Sequence, residues 1–226
     1  MIEHGMLYSE PMVVALLGGT KTQTRRAMKH QPHEDWHPAG YVELHGFDKD
    51  GELTDKVIGW GACNEDGDQG FKCPYGQPGE RIWVRETFIA YGRWVTRFSE
   101  KKHRDEWHFI DMTLECDRRY QYAADKPDVP LAKGRGGALP GWYTRPAIFM
   151  PRAASRILLG IVSVRVERLQ DISDPDSLAE GCSTKDMQRG DRLAIVYARL
   201  WESINGTGSW AVNPWVWCVE FSRVTP

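Results

Sequence analysis

Strand patterns in this chain do not alternate with helices. Arg81–Phe88, Arg156–Leu169 and Trp215–Val224 each read as β, the second with Val162, Val164 and Val166 alternating along one face. One clear amphipathic helix, Asp191–Ile204, carries Leu193, Val196, Tyr197, Leu200, Trp201 and Ile204 at helical spacing. Two shorter helices flank the set. Ser9-Glu10-Pro11 starts one that Gly18-Gly19 ends, and Ser173-Asp174-Pro175-Asp176 starts another that Gly181 closes. Without a regular βαβ repeat, a doubly wound parallel sheet is excluded and the class is α+β.

Between these elements lie two long stretches. Residues 30–77 are rich in His, Gly, Asp and Pro, with Val42, Leu44 and Val57-Ile58 suggesting a short hairpin. Residues 91–145 read as irregular, with a short strand at Arg119–Tyr122 and a Gly134–Gly137 loop. Stretches of this kind are either functional flaps or insertions. The 226 residues suffice for a real core as one domain, 1–226, with insertions at about 30–77 and 91–145. Ten tryptophans serve either as core or as stacking surfaces for flat ligands.

A net charge of -2 argues against a dedicated duplex-DNA binder. The charge is uneven, however: Lys133, Arg135, Arg145, Arg152, Arg156, Arg165 and Arg168 stand against Glu167 alone. That segment reads equally as a solvated basic face or as a phosphate-facing groove. The five cysteines are odd in number and irregular in spacing. The N-terminus lacks a basic-then-apolar leader, and no apolar run approaches the length of a membrane span. A cytoplasmic protein with free thiols and no membrane partner is the expectation. No metal set is expected: Cys63 and Cys73 match no common ligand spacing, and Asp66-Gly67-Asp68 is only a fragment of a calcium loop.

Chemistry concentrates in Gly18-Gly19-Thr20-Lys21-Thr22-Gln23-Thr24-Arg25-Arg26. It is not a P-loop, because the glycine-to-lysine spacing is wrong and the segment leaves a helix rather than entering one. Lys21 therefore either caps that helix end or serves a site. Ile82, Val84, Glu86 and Phe88 share one strand face, which would put the Glu86 carboxylate among apolar groups. Burial there raises its pKa and a nearby lysine lowers it; pairing with Arg25 or Arg26 for structure is the alternative. Lys21 and Thr24 converge only if the chain turns between helix and strand.

Gly19-x-Lys21-x-x-x-Arg25 after a short helix resembles the signature of the ASCH family, within the PUA-like superfamily. Later pieces agree in order: Pro78-Gly79-Glu80-Arg81-Ile82-Trp83-Val84, with Glu80 where the family more often has Asp, then Ile161–Glu167, then Ser173–Gly181. The chain is also similar to prophage-encoded members carrying Lys-Thr-x-Thr-Arg-Arg, Trp-Val-Arg-Glu and Asn-Pro-Trp-Val-Trp. The resemblance implies a small mixed or antiparallel β-barrel with flanking helices. It implies an amidohydrolase acting on N(4)-acetylcytidine-type compounds, with Lys21, Thr24 and Glu86 catalytic and a nucleoside or nucleobase as substrate. Arg25, Arg26 and Arg85 would bind that substrate, and no cofactor is needed. Other members are proposed to bind or cleave RNA, so a non-catalytic RNA or modified-nucleotide module and a ribonuclease are the alternatives.

Overall fold

The computed structural model describes residues 1–33, 35–67, 69–135 and 139–224. Asp68, and Gly136 and Gly137 of the expected glycine loop, lie outside the described residues. In chain order the elements begin with β1 (Glu3–Leu7), α1 (Glu10–Leu17), β2 (Gln23–Ala27), β3 (Pro38–Phe47), β4 (Leu53–Asn64) and β5 (Gly70–Lys72). They continue with β6 (Arg81–Arg85), β7 (Phe88–Ser99), β8 (Arg104–Asp111), β9 (Gln121–Tyr122) and β10 (Gly141–Arg145). Last come β11 (Leu158–Arg168), α2 (Asp174–Ala179), α3 (Leu193–Asn205) and β12 (Trp215–Arg223). The class is α+β, strands dominating. The Cα positions fall into two compact units: residues 1–4, 15–83 and 157 onward form one, and residues 5–14 and 84–156 the other.

One sheet is ordered β1-β6-β11-β12-β2, in which β11 runs antiparallel to both β6 and β12, and β12 antiparallel to β2. β1 and β2 are its edges; among the described residues the sheets are not closed into a barrel. Pairing of Gln23, Thr24 and Arg25 with Glu220, Val219 and Cys218 fixes β2 in register. β11 departs from plain alternation. A register shift between Ile161 and Ser163 keeps Ile161 and Val164 buried and turns Val162 out to 58% exposure. α3 buries Val196, Tyr197 and Trp201 against Val216 and Cys218 of β12, and Leu193 is buried as well. Ile204, expected on that face, is exposed, because the helix ends one residue later at Asn205.

The 30–77 stretch is a sheet of its own, β3-β4-β5, longer than the short hairpin expected. It is joined to β12 by aromatic edges: Trp36 meets Trp215 at 5.0 Å between ring centroids, and Tyr41 meets Trp217 at 6.3 Å.

The second unit is a meander ordered β10-β7-β8, with β9 also paired to β7. Here the sequence reading of 91–145 as irregular differs from the structure. β7 and β8 form a long hairpin whose outer half is solvated, so Arg93, Arg97, Arg104 and Glu106 occupy strand positions and hide the apolar alternation. Phe88, Ala90, Met150 and Ala154 form this unit's core. No described helix is long and apolar enough to cross a membrane.

Candidate functional site

Local structure brings Lys21 to Glu180. After α1, Gly19 adopts a φ of +73°, and the Thr20 and Lys21 amides donate back to the Ala15 carbonyl. Lys21 then forms an isolated antiparallel bridge with Glu180, and the Thr22 amide donates to the Ala179 carbonyl at 2.8 Å. On the other side, Ser173 caps α2 by accepting from the Asp176 amide, and Glu180 is the residue that ends this helix. Gly181 follows with a φ of +93°. A side chain there would come within 3.1 Å of Ala15 Cβ and 3.4 Å of Lys21 Cβ, so glycine lets the two strands of chain close up.

The Lys21 ammonium spends all three protons. Nζ donates to Glu180 Oε2 at 2.6 Å, to the Gln23 carbonyl at 2.8 Å and to the Glu180 carbonyl at 2.9 Å. The side chains are 0% and 1% exposed. Lys21 does cap a helix end, but that of α2 rather than of α1, through the Glu180 carbonyl. Burial pushes its pKa down, and the Glu180 carboxylate partly restores it.

Around this pair lies a charged network. Arg25 donates to Glu167 from Nε at 2.9 Å and to Glu180 Oε1 at 3.4 Å, and its Nη2 lies 3.2 Å from Asp176 Oδ2. It also donates to the Gln23 side-chain oxygen. Gln23 Nε2 in turn donates to Asp176 and Glu220, both at 3.1 Å. Arg165 bridges Glu167, Asp176 and Glu220 from the rim. Burial acts to raise the Asp176 pKa, but bonds from Ser173 and Gln23 and the charges of Arg25 and Arg165 hold it down at about 2. Burial and the Glu180 charge push the nearby Cys182 thiol up to about 11, against Lys21, so it stays protonated at neutral pH.

Of the residues expected to act, Lys21 and Arg25 meet in this network. Thr24 is buried in β2, and strand alternation sets it and Arg26 on the face opposite Gln23 and Arg25. Glu86 belongs to the second unit. It is buried as expected, though in the break between β6 and β7 rather than within one strand, and both its oxygens receive Arg156, from Nε at 2.9 Å and Nη2 at 3.0 Å. Its structural partner is thus Arg156 rather than Arg25 or Arg26. Arg156 also binds Asp125 at 2.6 Å and lies 3.9 Å from the Tyr122 ring centroid. Arg85 donates to the Ile148 carbonyl. Sequence reasoning missed Glu180, Glu167, Asp176 and Glu220 as site carboxylates. Glu180 carried a signal, the Glu-Gly pair closing a capped helix. Glu167 and Glu220 carried none beyond their strand positions. The basic 133–168 segment proves heterogeneous, since Arg156 and Arg165 are each matched by carboxylates.

No family model matches this chain, and no curated protein and no solved structure matches it.

Proposed function

We propose that the chain is an amidohydrolase that removes acyl groups from N(4)-acylated cytosine or cytidine compounds, with Lys21 as base. The observation that carries this reading is the sealed pair of Lys21 and Glu180, 2.6 Å apart, with the ammonium pKa lowered by burial. We give Glu180 the carboxylate role that the resemblance would put on Glu86, because Glu180 touches Lys21 and Glu86 is engaged by Arg156. Lys21, once deprotonated, takes a proton from the oxygen of an attacking water, since Thr24 faces the other side of β2. That oxygen adds to the acyl carbonyl, the carbon–nitrogen bond breaks, and Glu180 passes the proton to the departing cytosine amine. Both side chains are buried, so the reading requires the chain around them to open to substrate. Arg25 anchors Glu180, while Arg26 remains the proposed contact to the nucleoside; Arg85 belongs to the other unit and is given no part in this site. The same reading takes the five-stranded sheet as the counterpart of the PUA-like barrel and the two long stretches as insertions into one cytoplasmic, ASCH-like domain.

The test is a panel of acylated cytosines and cytidines followed by ultraviolet absorbance. Turnover is expected without added metal or cofactor. Lys21→Ala and Glu180→Gln should each lower kcat by about 10²–10⁴-fold, with circular dichroism confirming the fold, whereas Glu86→Gln should leave kcat within a few-fold. Thr24→Val should retain activity, and its loss with the fold intact would overturn attack by water. Inactivity on the whole panel sinks the reading.

A second reading, an RNA or modified-nucleotide binding module, is favoured by one observation. Arg135 and Arg145 lie 4.8 and 4.7 Å from the Trp94 ring centroid, cations placed beside an aromatic platform.

A further inference from the structure

The first unit contains a cavity of about 460 Å³ that none of the chemistry above uses. Its volume lies within the range of small-molecule sites. One wall carries a hydrogen-bonded dyad from distant parts of the chain: His4 Nε2 lies 2.7 Å from Glu80 Oε2, which also accepts from the Gln77 amide at 3.2 Å. A carboxylate on one imidazole nitrogen orients the ring and fixes its tautomer, leaving the other nitrogen for a ligand. The backbone beneath the dyad is built to make room for it. Gly76 has a φ of +100°, and a Cβ there would fall 2.6 Å from Glu80 Oε2 and 2.7 Å from His4 Nε2.

Another part of the lining repeats this device with a cation. Gly59 has a φ of +144°, and a Cβ there would fall 2.5 Å from Lys72 Cε and 3.0 Å from its Nζ. The end of the Lys72 side chain therefore passes over Gly59 of β4, while the residue stays exposed. Among the described residues its ammonium makes no ion pair. Trp60 also lines the cavity, stacked on Tyr41 at 5.9 Å and 28°, and the Tyr41 hydroxyl donates to the Gly76 carbonyl at 2.6 Å. The Tyr41 bond ties the aromatic wall to the turn that carries the dyad.

We propose that this cavity binds a small flat organic anion, its ring seated on Trp60, its carboxylate or phosphate at Lys72, and a polar ring atom hydrogen-bonded to His4. The assignment does not rest on the hydrolase reading, because no residue of the Lys21 network lines the cavity. Indole-3-carboxylate and cytidine monophosphate serve as anionic probes, with indole and cytidine as their neutral counterparts, all titrated into the full chain by ligand-observed NMR. At least one anion should bind with a Kd below about 1 mM and at least tenfold more tightly than its neutral counterpart. Which anion binds separates a carboxylate from a phosphate ligand. Lys72→Gln, at an exposed position, should reduce the anion to the affinity of the neutral probe. Gly76→Ala should weaken binding of both members of the pair by disturbing the dyad. Failure of both anions to saturate, or an unchanged anion preference in Lys72→Gln, overturns the proposal.

Discussion

Lys21 shows how one residue's character is decided by its neighbours. Its ammonium is taken out of water, which disfavours charge, yet it is given a carboxylate and two carbonyls, which favour charge. These opposed terms leave a lysine that gives up a proton more readily than one in water, while Arg25 beside it stays charged throughout. Asp176 is the member of the network whose acid titration is most sharply placed. Its pKa in the folded chain is about 2, below the ordinary 3.8. Its contribution is therefore whole above the ordinary value and is lost as pH falls from 3.8 towards 2, where the folded state must take up the proton. Urea denaturation should show stability falling across that window, and Asp176→Asn should flatten the fall. A variant with the same acid slope as the parent would assign the loss to other carboxylates.

At the scale of elements, α2 is short but does two jobs: its capped start presents Asp176 and its end presents Glu180. The tight exit after it makes Gly181 the element's weak point. Gly19 and Gly181 both have positive φ, but open space surrounds the Cβ direction of Gly19, whereas Ala15 and Lys21 crowd that of Gly181. Gly19→Ala should cost only the backbone penalty, about 1 kcal/mol, and Gly181→Ala more, within a range of about 1–3 kcal/mol for a strained left-handed residue. Equal losses in chemical denaturation would show that the crowding relaxes without cost. α2 was legible from Ser173, Pro175 and Gly181. β7 and β8 were not, because a half-solvated hairpin puts arginines and acids where a pattern search looks for apolar residues.

Across the molecule, the two compact units divide the polar chemistry. The Lys21–Glu180–Arg25 network lies in one, and Glu86 with Arg156, Asp125 and Tyr122 in the other. The β3–β5 sheet is no loose appendage within the first unit. Trp36, 3% exposed, presents its edge to Phe71 at 5.5 Å and to Trp215 at 5.0 Å, joining that sheet to β12. Trp36→Ala should therefore destabilise the chain by about 3–5 kcal/mol, the range for deleting a large buried aromatic. A loss below about 1 kcal/mol in urea titration would mean that the sheet packs without supporting the unit.

The sequence by itself determined what local rules govern: the α+β class, the helix starts and stops, strands read at 81–88, 156–169 and 215–224 where the structure has 81–85, 158–168 and 215–223, and the burial of Glu86, which lies in the break between β6 and β7 rather than on a strand face. It also singled out Lys21, because a lysine straight after a glycine-ended helix invites a special role. The tertiary structure decided the partners. Glu180 is 159 residues from Lys21 along the chain, and Arg156 is 70 from Glu86. No periodicity or cap couples residues so far apart. Their pairing follows from strand register and helix docking, and these are fixed only when the apolar surfaces of separate elements are buried together.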